Sequence, residues 1–249
     1  MLVATFDIGT TAVKAVAVRD DGEPVFTGSQ VLHTIEKNGF KEQDPEEWYS
    51  AFCTLSHALT GKIPAQEISA LIFSGQMQDV IPVGSDRRAL GNAILYSDGR
   101  AGAQAETIEN AVGGDTITAI TGNHFDGSMP LAKILWLKEN EPEIYTQTTA
   151  FLISSKDYVV AKLTGNFIGD MTACATAGAI DLEYKTWSQC LINGAGLDIN
   201  KFPKLLHSHE LAGVITETGA ADTGYKSLRR HRRCRGYYTC QRYFIPWGI

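Results

Sequence analysis

The stretch FDIGTTAVK, Phe6 to Lys14, constrains this chain more than any other. Residues 2–6 before it are apolar and β-prone, and residues 12–18 after it alternate around Lys14. Two strands joined by a tight turn are expected. Gly9 lacks a Cβ, so backbone N–H groups there can approach a ligand closely. Thr10 and Thr11 add hydroxyl donors and Lys14 adds a point charge, a set that suits phosphate oxygens. Asp7 would repel phosphate unless a divalent cation or its water lies between them. For so short a pattern, a solvated acid in an ordinary hairpin stays open as an alternative. The turn is not a P-loop: that pattern is absent, and here strand leads to strand rather than to helix.

The following segments extend the sheet. Residues 25–33 read as a third strand, reached through an Asp21-Gly22 turn, which gives an antiparallel meander. A helix is expected next. Asp44 supplies the N-cap, Pro45 the first helical position, and Glu46 and Glu47 complement the positive end of the dipole. Trp48, Phe52, Leu55 and Leu59 recur at helical spacing and should face the core, and Gly61 stops the helix. Residues 68–73 then form a buried strand, parallel to the first because a helix crosses over between them. Three antiparallel strands, a crossover helix and a parallel strand predict an α/β domain of the ribonuclease-H-like kind. Further helices are expected in AGAQAETIENAVGG, in PLAKILWLKENEPEIY from Pro130, and in SSKDYVVAKLTG up to Gly165. Trp48, Trp136 and Trp187 read as core, and KLLHSHELAG reads as a connecting segment.

The chain has 249 residues, 44% of them hydrophobic and 20% charged, enough for one large domain or two small ones. No apolar run approaches the roughly 20 residues of a membrane span. The start lacks a basic leader, and Asp7 interrupts its apolar run, so a cytoplasmic location and no membrane partner are expected. Five cysteines without a C-x-x-C pair imply reduced thiols rather than a disulfide framework or a zinc site. The net charge of −6 is uneven: with the six arginines after Leu228 set aside, 16 of the 22 basic residues face 28 acids, a body charge of −12. Such a body is a poor nucleic-acid binder, and no nucleic-acid partner is expected.

Several ordered motifs resemble the FGGY family of carbohydrate kinases, and within it the xylulokinases. FDIGTTAVK matches the first phosphate loop. EQDPEEWY matches a Q-D-P-E-x-W stretch, SGQMQD a sugar-binding S-G-Q-M-H-G loop, and LYSDGRA an L-W-x-D-x-R stretch. SMPLAKILWLKEN, Ser128 to Asn140, fits every position of the family signature. Together they cover residues 1–226.

The resemblance implies a fold similar to actin, hexokinase and the heat-shock ATPases: two ribonuclease-H-like domains around a cleft. This chain would be the first, sugar-binding domain, with a mixed five-stranded sheet flanked by helices. ATP and Mg2+ are the implied cofactors. Asp7 would hold the metal, and Gly9, Thr10, Thr11 and Lys14 would contact ATP phosphates. Gln76, Met77 and Gln78 would meet the sugar, Met77 packing on its carbons and Gln78 bonding its hydroxyls. The family pattern has His at the Gln78 position and Gly at the Asp79 position, which leaves the particular pentulose open. Tyr96 would offer an aromatic face to sugar C–H groups. Asp98 and Arg100 are either sugar ligands or an internal ion pair, and both readings stay open. Asp170 would brace the cleft wall.

Phosphorylating an alcohol needs a base beside the attacking hydroxyl. The family places an Asp for this in a G-G-G-D or G-A-G-D motif opening the second domain. No Gly-Asp pair follows Gly224 here; the chain continues SLRRHRRCRGYYTCQRYFIPWGI. The expectation is therefore a domain at 1–226, an aberrant basic tail at 227–249 that is frameshifted or disordered, and a base and adenosine-binding domain outside this chain. A reading-frame change near Ser227 would explain the tail; rival explanations are a genuinely short protein and a cloning scar. The expected function is that of the N-terminal half of an ATP-dependent kinase converting D-xylulose to D-xylulose 5-phosphate, inactive by itself. The alternative is a non-catalytic sugar-binding or interaction module with the tail as its docking element. Half of a two-domain protein exposes an interdomain face, so a homodimer is a possible partner state.

Overall fold

The computed structural model describes residues 2–226 and the strand at 237–239. Strands β1 (Leu2–Ile8), β2 (Ala12–Arg19) and β3 (Pro24–Val31) form the expected antiparallel meander. On β1 the residues Leu2, Ala4, Phe6 and Ile8 are buried in alternation, which fixes its register. A small hairpin follows, β4 (Ile35–Lys37) and β5 (Phe40–Gln43), with Asn38 and Gly39 both left-handed at φ 54° and 83°. That is the turn an Asn-Gly pair favours. Helix α1 (Pro45–Thr60) is capped by Asp44, whose carboxylate accepts the Glu46 N–H, and it buries Trp48, Phe52, Leu55 and Leu59. Strand β6 (Ile68–Gly75) returns parallel to β1, as the crossover requires.

The chain then changes sheets within a single residue. Only Gln76 separates β6 from β7 (Met77–Val83), so the SGQMQD segment, which resembles a sugar-binding loop, is here a strand entry. Strand β8 (Ala93–Ile94) lies beside β7, and four helices follow: α2 (Gly102–Val112), α3 (Gly114–Thr121), α4 (Pro130–Asn140) and α5 (Pro142–Gln147). The single helix expected from Pro130 is divided, because Pro142 cannot donate to a continuing ladder and begins a new helix. Strand β9 (Ala150–Ser154) is fully buried, and α6 (Ser155–Thr164) ends at Gly165 in the left-handed conformation, φ 76°.

Beyond it come β10 (Ile168–Asp170), α7 (Met171–Cys174), β11 (Ile180–Asp181), β12 (Thr186–Trp187) and α8 (Gln189–Gly194). The last described elements are β13 (Lys204–Leu206), β14 (Leu211–Gly213), α9 (Glu217–Thr223) and β15 (Tyr237–Thr239). KLLHSHELAG is thus two short strands around a turn rather than a plain connection, and the His207 and His209 rings stack at 5.7 Å.

The main sheet runs β14-β15-β6-β1-β2-β3 and the second runs β4-β5-β8-β7-β9. The architecture is mixed α/β, as expected, and the main sheet has six strands because β14 and β15 extend it past β6. Apart from β15, the tail call at 227–249 lies outside the described residues, as do Cys234 and Cys240; Cys53, Cys174 and Cys190 are free thiols. One core packs the main sheet against α1 and α6, with Phe6 and Phe52 edge-to-face at 4.7 Å. A second core lies among β7, β9 and the helices of the second half, including Val80, Ile134 and Phe151. Trp48 and Trp187 are core residues, whereas Trp136 is only half-buried and lies under the Arg100 guanidinium. Among the described residues no helix is long and apolar enough to cross a membrane.

Candidate functional site

Because β1 and β6 are parallel neighbours with Ile8 opposite Gly75, the Gly9–Thr11 turn and the Gln76 segment leave the same edge of the sheet. Asp7, one residue before the end of β1, is exposed, and Lys14, its register partner on β2, is exposed as well. The Gly9 N–H donates to the Ala12 carbonyl at 3.2 Å and closes the turn. A Cβ on Gly9 would sit 3.2 Å from that carbonyl and 3.6 Å from Asp7 Oδ2, so the turn stays bare on the side of the acid. Thr11 is exposed beside it.

A closed ring of hydrogen bonds joins the turn to the second segment. Thr10 Oγ1 donates to Gln76 Oε1 at 3.0 Å, Gln76 Nε2 donates to Gln43 Oε1 at 2.8 Å, and Gln43 Nε2 donates to the Thr10 carbonyl at 2.6 Å. The Trp48 indole N–H also donates to Gln43 Oε1, at 3.0 Å. The Gln76 backbone is fixed too: its N–H donates to the Ile8 carbonyl, and its carbonyl accepts from Ser154 Oγ at 2.7 Å. Gln76 therefore spends its amide inside the protein and links the two segments. Gln43 is the residue that the sequence did not single out; it lies in the EQDPEEWY motif, but nothing local says that a Gln there will be fully buried.

Met77 and Gln78 open β7, both half-buried. Gln78 is left-handed, φ 67°, a conformation that a non-Gly residue adopts at a cost, and its amide donates to Ser128 Oγ at 3.3 Å. Tyr96 is 43% exposed, a large aromatic face open to solvent. Asp98 and Arg100 form an ion pair: Arg100 donates through Nε at 3.0 Å and through a terminal nitrogen at 2.7 Å. That terminal nitrogen also meets Glu42 at 2.8 Å, and the guanidinium lies 3.8 Å over the Phe40 ring. Burial acts to raise the Asp98 carboxyl, but Arg100 and the N–H groups of Lys41 and Arg100 overcome it and hold it below the usual range. The pair is thus bonded to itself and to β5. Asp170 caps α7, its Oδ1 accepting the Thr172 and Ala173 N–H groups.

Beneath these residues lie two buried ionisable groups. Asp79 accepts the Tyr96 N–H at 3.0 Å, and Lys133 of α4 donates to the Leu95 carbonyl at 2.7 Å. Burial pushes the Asp79 carboxyl up to about 8 and the Lys133 ammonium down to about 8, and each partly offsets the other's shift. Among the described residues no group of three or more His, Cys, Asp or Glu side chains could hold a metal by itself.

A glycine-threonine turn at the edge of a β-β-β-α-β sheet, beside a polar segment leaving the neighbouring parallel strand, is the layout of an actin/hexokinase-type ATPase domain. Residues 2–228 match the N-terminal domain of the FGGY family of carbohydrate kinases. The xylulose kinase of Bacillus subtilis is 33% identical over 225 residues, which are 89% of this chain and 45% of that protein. The gluconate kinase structure from Lactobacillus acidophilus superposes with a TM-score of 0.82 at 30% identity, over 91% of this chain and 46% of that one. The xylulose kinase structure from Rhodospirillum rubrum shares the fold with a TM-score of 0.88 at 24% identity, over 97% of this chain and 49% of that one. The chain belongs to the FGGY family of carbohydrate kinases, and it spans about half the length of the relatives it matches.

Proposed function

We propose that this chain is the N-terminal, sugar-binding domain of an ATP-dependent kinase that phosphorylates a pentulose, D-xylulose to D-xylulose 5-phosphate, in the cytoplasm. The observation that carries the reading is the ring Thr10–Gln76–Gln43, which fastens a phosphate-suited turn to a sugar-suited segment. Donor chemistry supports the cofactors. Asp7 offers one exposed carboxylate beside a turn without a side chain at Gly9. Mg2+ commonly takes one or two carboxylates and keeps water and phosphate for the rest, so a lone acid fits. Asp7 would hold Mg2+, and Gly9, Thr10, Thr11 and Lys14 would meet the nucleotide phosphates. Bound there, the metal would neutralise charge on the phosphates.

The sugar would lie between Met77, Gln78 and the Tyr96 ring. Gln76 positions the site from within, and Asp98 and Arg100 brace it through their ion pair rather than by direct contact. The base that accepts the hydroxyl proton would be an Asp outside this chain. Domain 1–226 is the working unit of this reading, and residues 227–249 are an appendage to it. The test is calorimetry of the 249-residue chain with D-xylulose, D-gluconate and glycerol, followed by an ATP-dependent phosphorylation assay. Preferential D-xylulose binding without turnover is expected. Rapid turnover by this chain alone would overturn the placement of the base, and tighter binding of D-gluconate would overturn the pentulose.

A further inference from the structure

We propose that Asp79 and Lys133 are positioning residues, a buried latch that fastens the Tyr96 segment to the Gln78 segment and thereby sets the Tyr96 ring in the sugar site. The inference rests on the sugar-binding reading above and deepens it. The backbone alone does little to join these segments: β8 has two residues and meets β7 only at Val80 and Ile94. Side chains supply the rest. Asp79, with no solvent exposure, leaves β7 and accepts the Tyr96 N–H through Oδ1 at 3.0 Å. Lys133, also fully buried, reaches from α4 to the Leu95 carbonyl at 2.7 Å and the Gln78 carbonyl at 3.4 Å.

Each group thus ties one segment to the other, on either side of the left-handed Gln78. A non-Gly residue in that region is strained and persists where its surroundings over-determine it. Asp79 Oδ2 is buried without a partner, so the carboxyl is only half satisfied in this arrangement.

Lys133 is the charge that acts on Asp79, while Asp79, Asp98, Arg100 and Asp126 all act on Lys133. Burial brings both members to about 8, so the charge of the pair changes near that pH.

The experiment uses the whole chain labelled with 15N-tyrosine, as wild type, Asp79→Asn and Asp79→Ala. The wild-type Tyr96 amide resonance should titrate with a midpoint near pH 8. Asp79→Asn should remove the carboxyl's part of that titration and leave a smaller Lys133 step at lower pH, because the Asp79 charge no longer raises Lys133; it keeps an oxygen that accepts the Tyr96 N–H, and it should rescue D-xylulose binding relative to Asp79→Ala. Asp79→Ala should weaken binding about tenfold, equivalent to about 1.4 kcal/mol. A Tyr96 amide whose resonance position and titration are the same in Asp79→Asn as in wild type, or D-xylulose binding by Asp79→Ala equal to that of wild type, overturns the latch. If Asp79→Ala fails to fold, the comparison of wild type with Asp79→Asn still decides. A wild-type amide that titrates in a chain that binds no D-xylulose upholds the latch and overturns the sugar reading instead.

Discussion

Gln43 makes four hydrogen bonds from a side chain that never meets solvent: to the Thr10 carbonyl, Thr34 Oγ1, Gln76 Nε2 and the Trp48 indole. Gln43→Leu keeps the volume and removes every partner. A buried donor left unsatisfied costs about 1–3 kcal/mol, so a loss of at least about 2 kcal/mol in urea unfolding is expected. A change within about 0.5 kcal/mol, the range of ordinary surface substitutions, would mean that water replaces the amide.

Asp79 gives a second prediction at this scale. Unfolded, its carboxyl titrates near about 4; folded, burial moves it to about 8. Between those values the native state holds a proton that the unfolded chain has released, so this group's contribution falls as pH rises through the window. Lys133 acts in the next window: its folded value of about 8 lies below the unfolded one, so its penalty is relieved as pH rises further. The stability of wild type minus that of Asp79→Asn should therefore decline steadily towards pH 8 in chemical denaturation series, and a flat difference would refute the shift.

The sequence exposes Asp7 and Gly9 because an acid in the last turn-side residues of an apolar strand, closely followed by Gly-Thr-Thr, is unusual by itself. It hides Gln43 because that role exists only where segments 33 residues apart meet.

Among the elements, β3 and α1 meet most tightly at Gly28. A Cβ there would lie 2.7 Å from Leu55 Cδ2 and 3.2 Å from Phe26 Cζ. Gly28 does not have a left-handed φ, so backbone freedom is not its purpose; room for α1 is. Gly28→Ala should cost about 1–3 kcal/mol by overpacking. In combination with Leu55→Ala the two losses should be less than additive, since the smaller side chain vacates the contact. Additive losses in the double-mutant cycle would place the strain elsewhere.

Element identity was legible where local chemistry decides it. Asp44, Pro45 and the apolar spacing announce α1, and period-two burial announces β1. The strand entry at Met77 was not legible, because Val80–Val83 are all buried and show no alternation, while SGQMQD looks polar enough for a loop. The Asp98–Arg100 pair was equally undecidable, since its character depends on Glu42, Phe40 and Trp136, all distant in sequence.

At the scale of the whole molecule, the question is what residues 227–249 do. Among the described residues, no member of either core lies beyond Tyr225, and the candidate site residues lie between Asp7 and Asp170. The one tail element described, β15, pairs parallel with β6 and antiparallel with β14. A chain ending at Lys226 loses those ladder bonds and leaves the β6 edge open. An open edge templates pairing with a second chain. Deleting residues 227–249 should thus leave D-xylulose affinity unchanged while raising the dimer fraction with concentration, read by calorimetry and by light scattering on a sizing column. Loss of sugar binding on deletion would place the tail within the functional unit and sink the domain boundary at 226. Unchanged binding in a strictly monomeric chain would show that the β6 edge needs no cover. The DNA sequence from codon 220 onward, read in every frame, then separates the remaining accounts: a frame opening into a Gly-Asp motif and a second domain makes the tail a frameshift product, and its absence from every frame favours a short sugar-binding module.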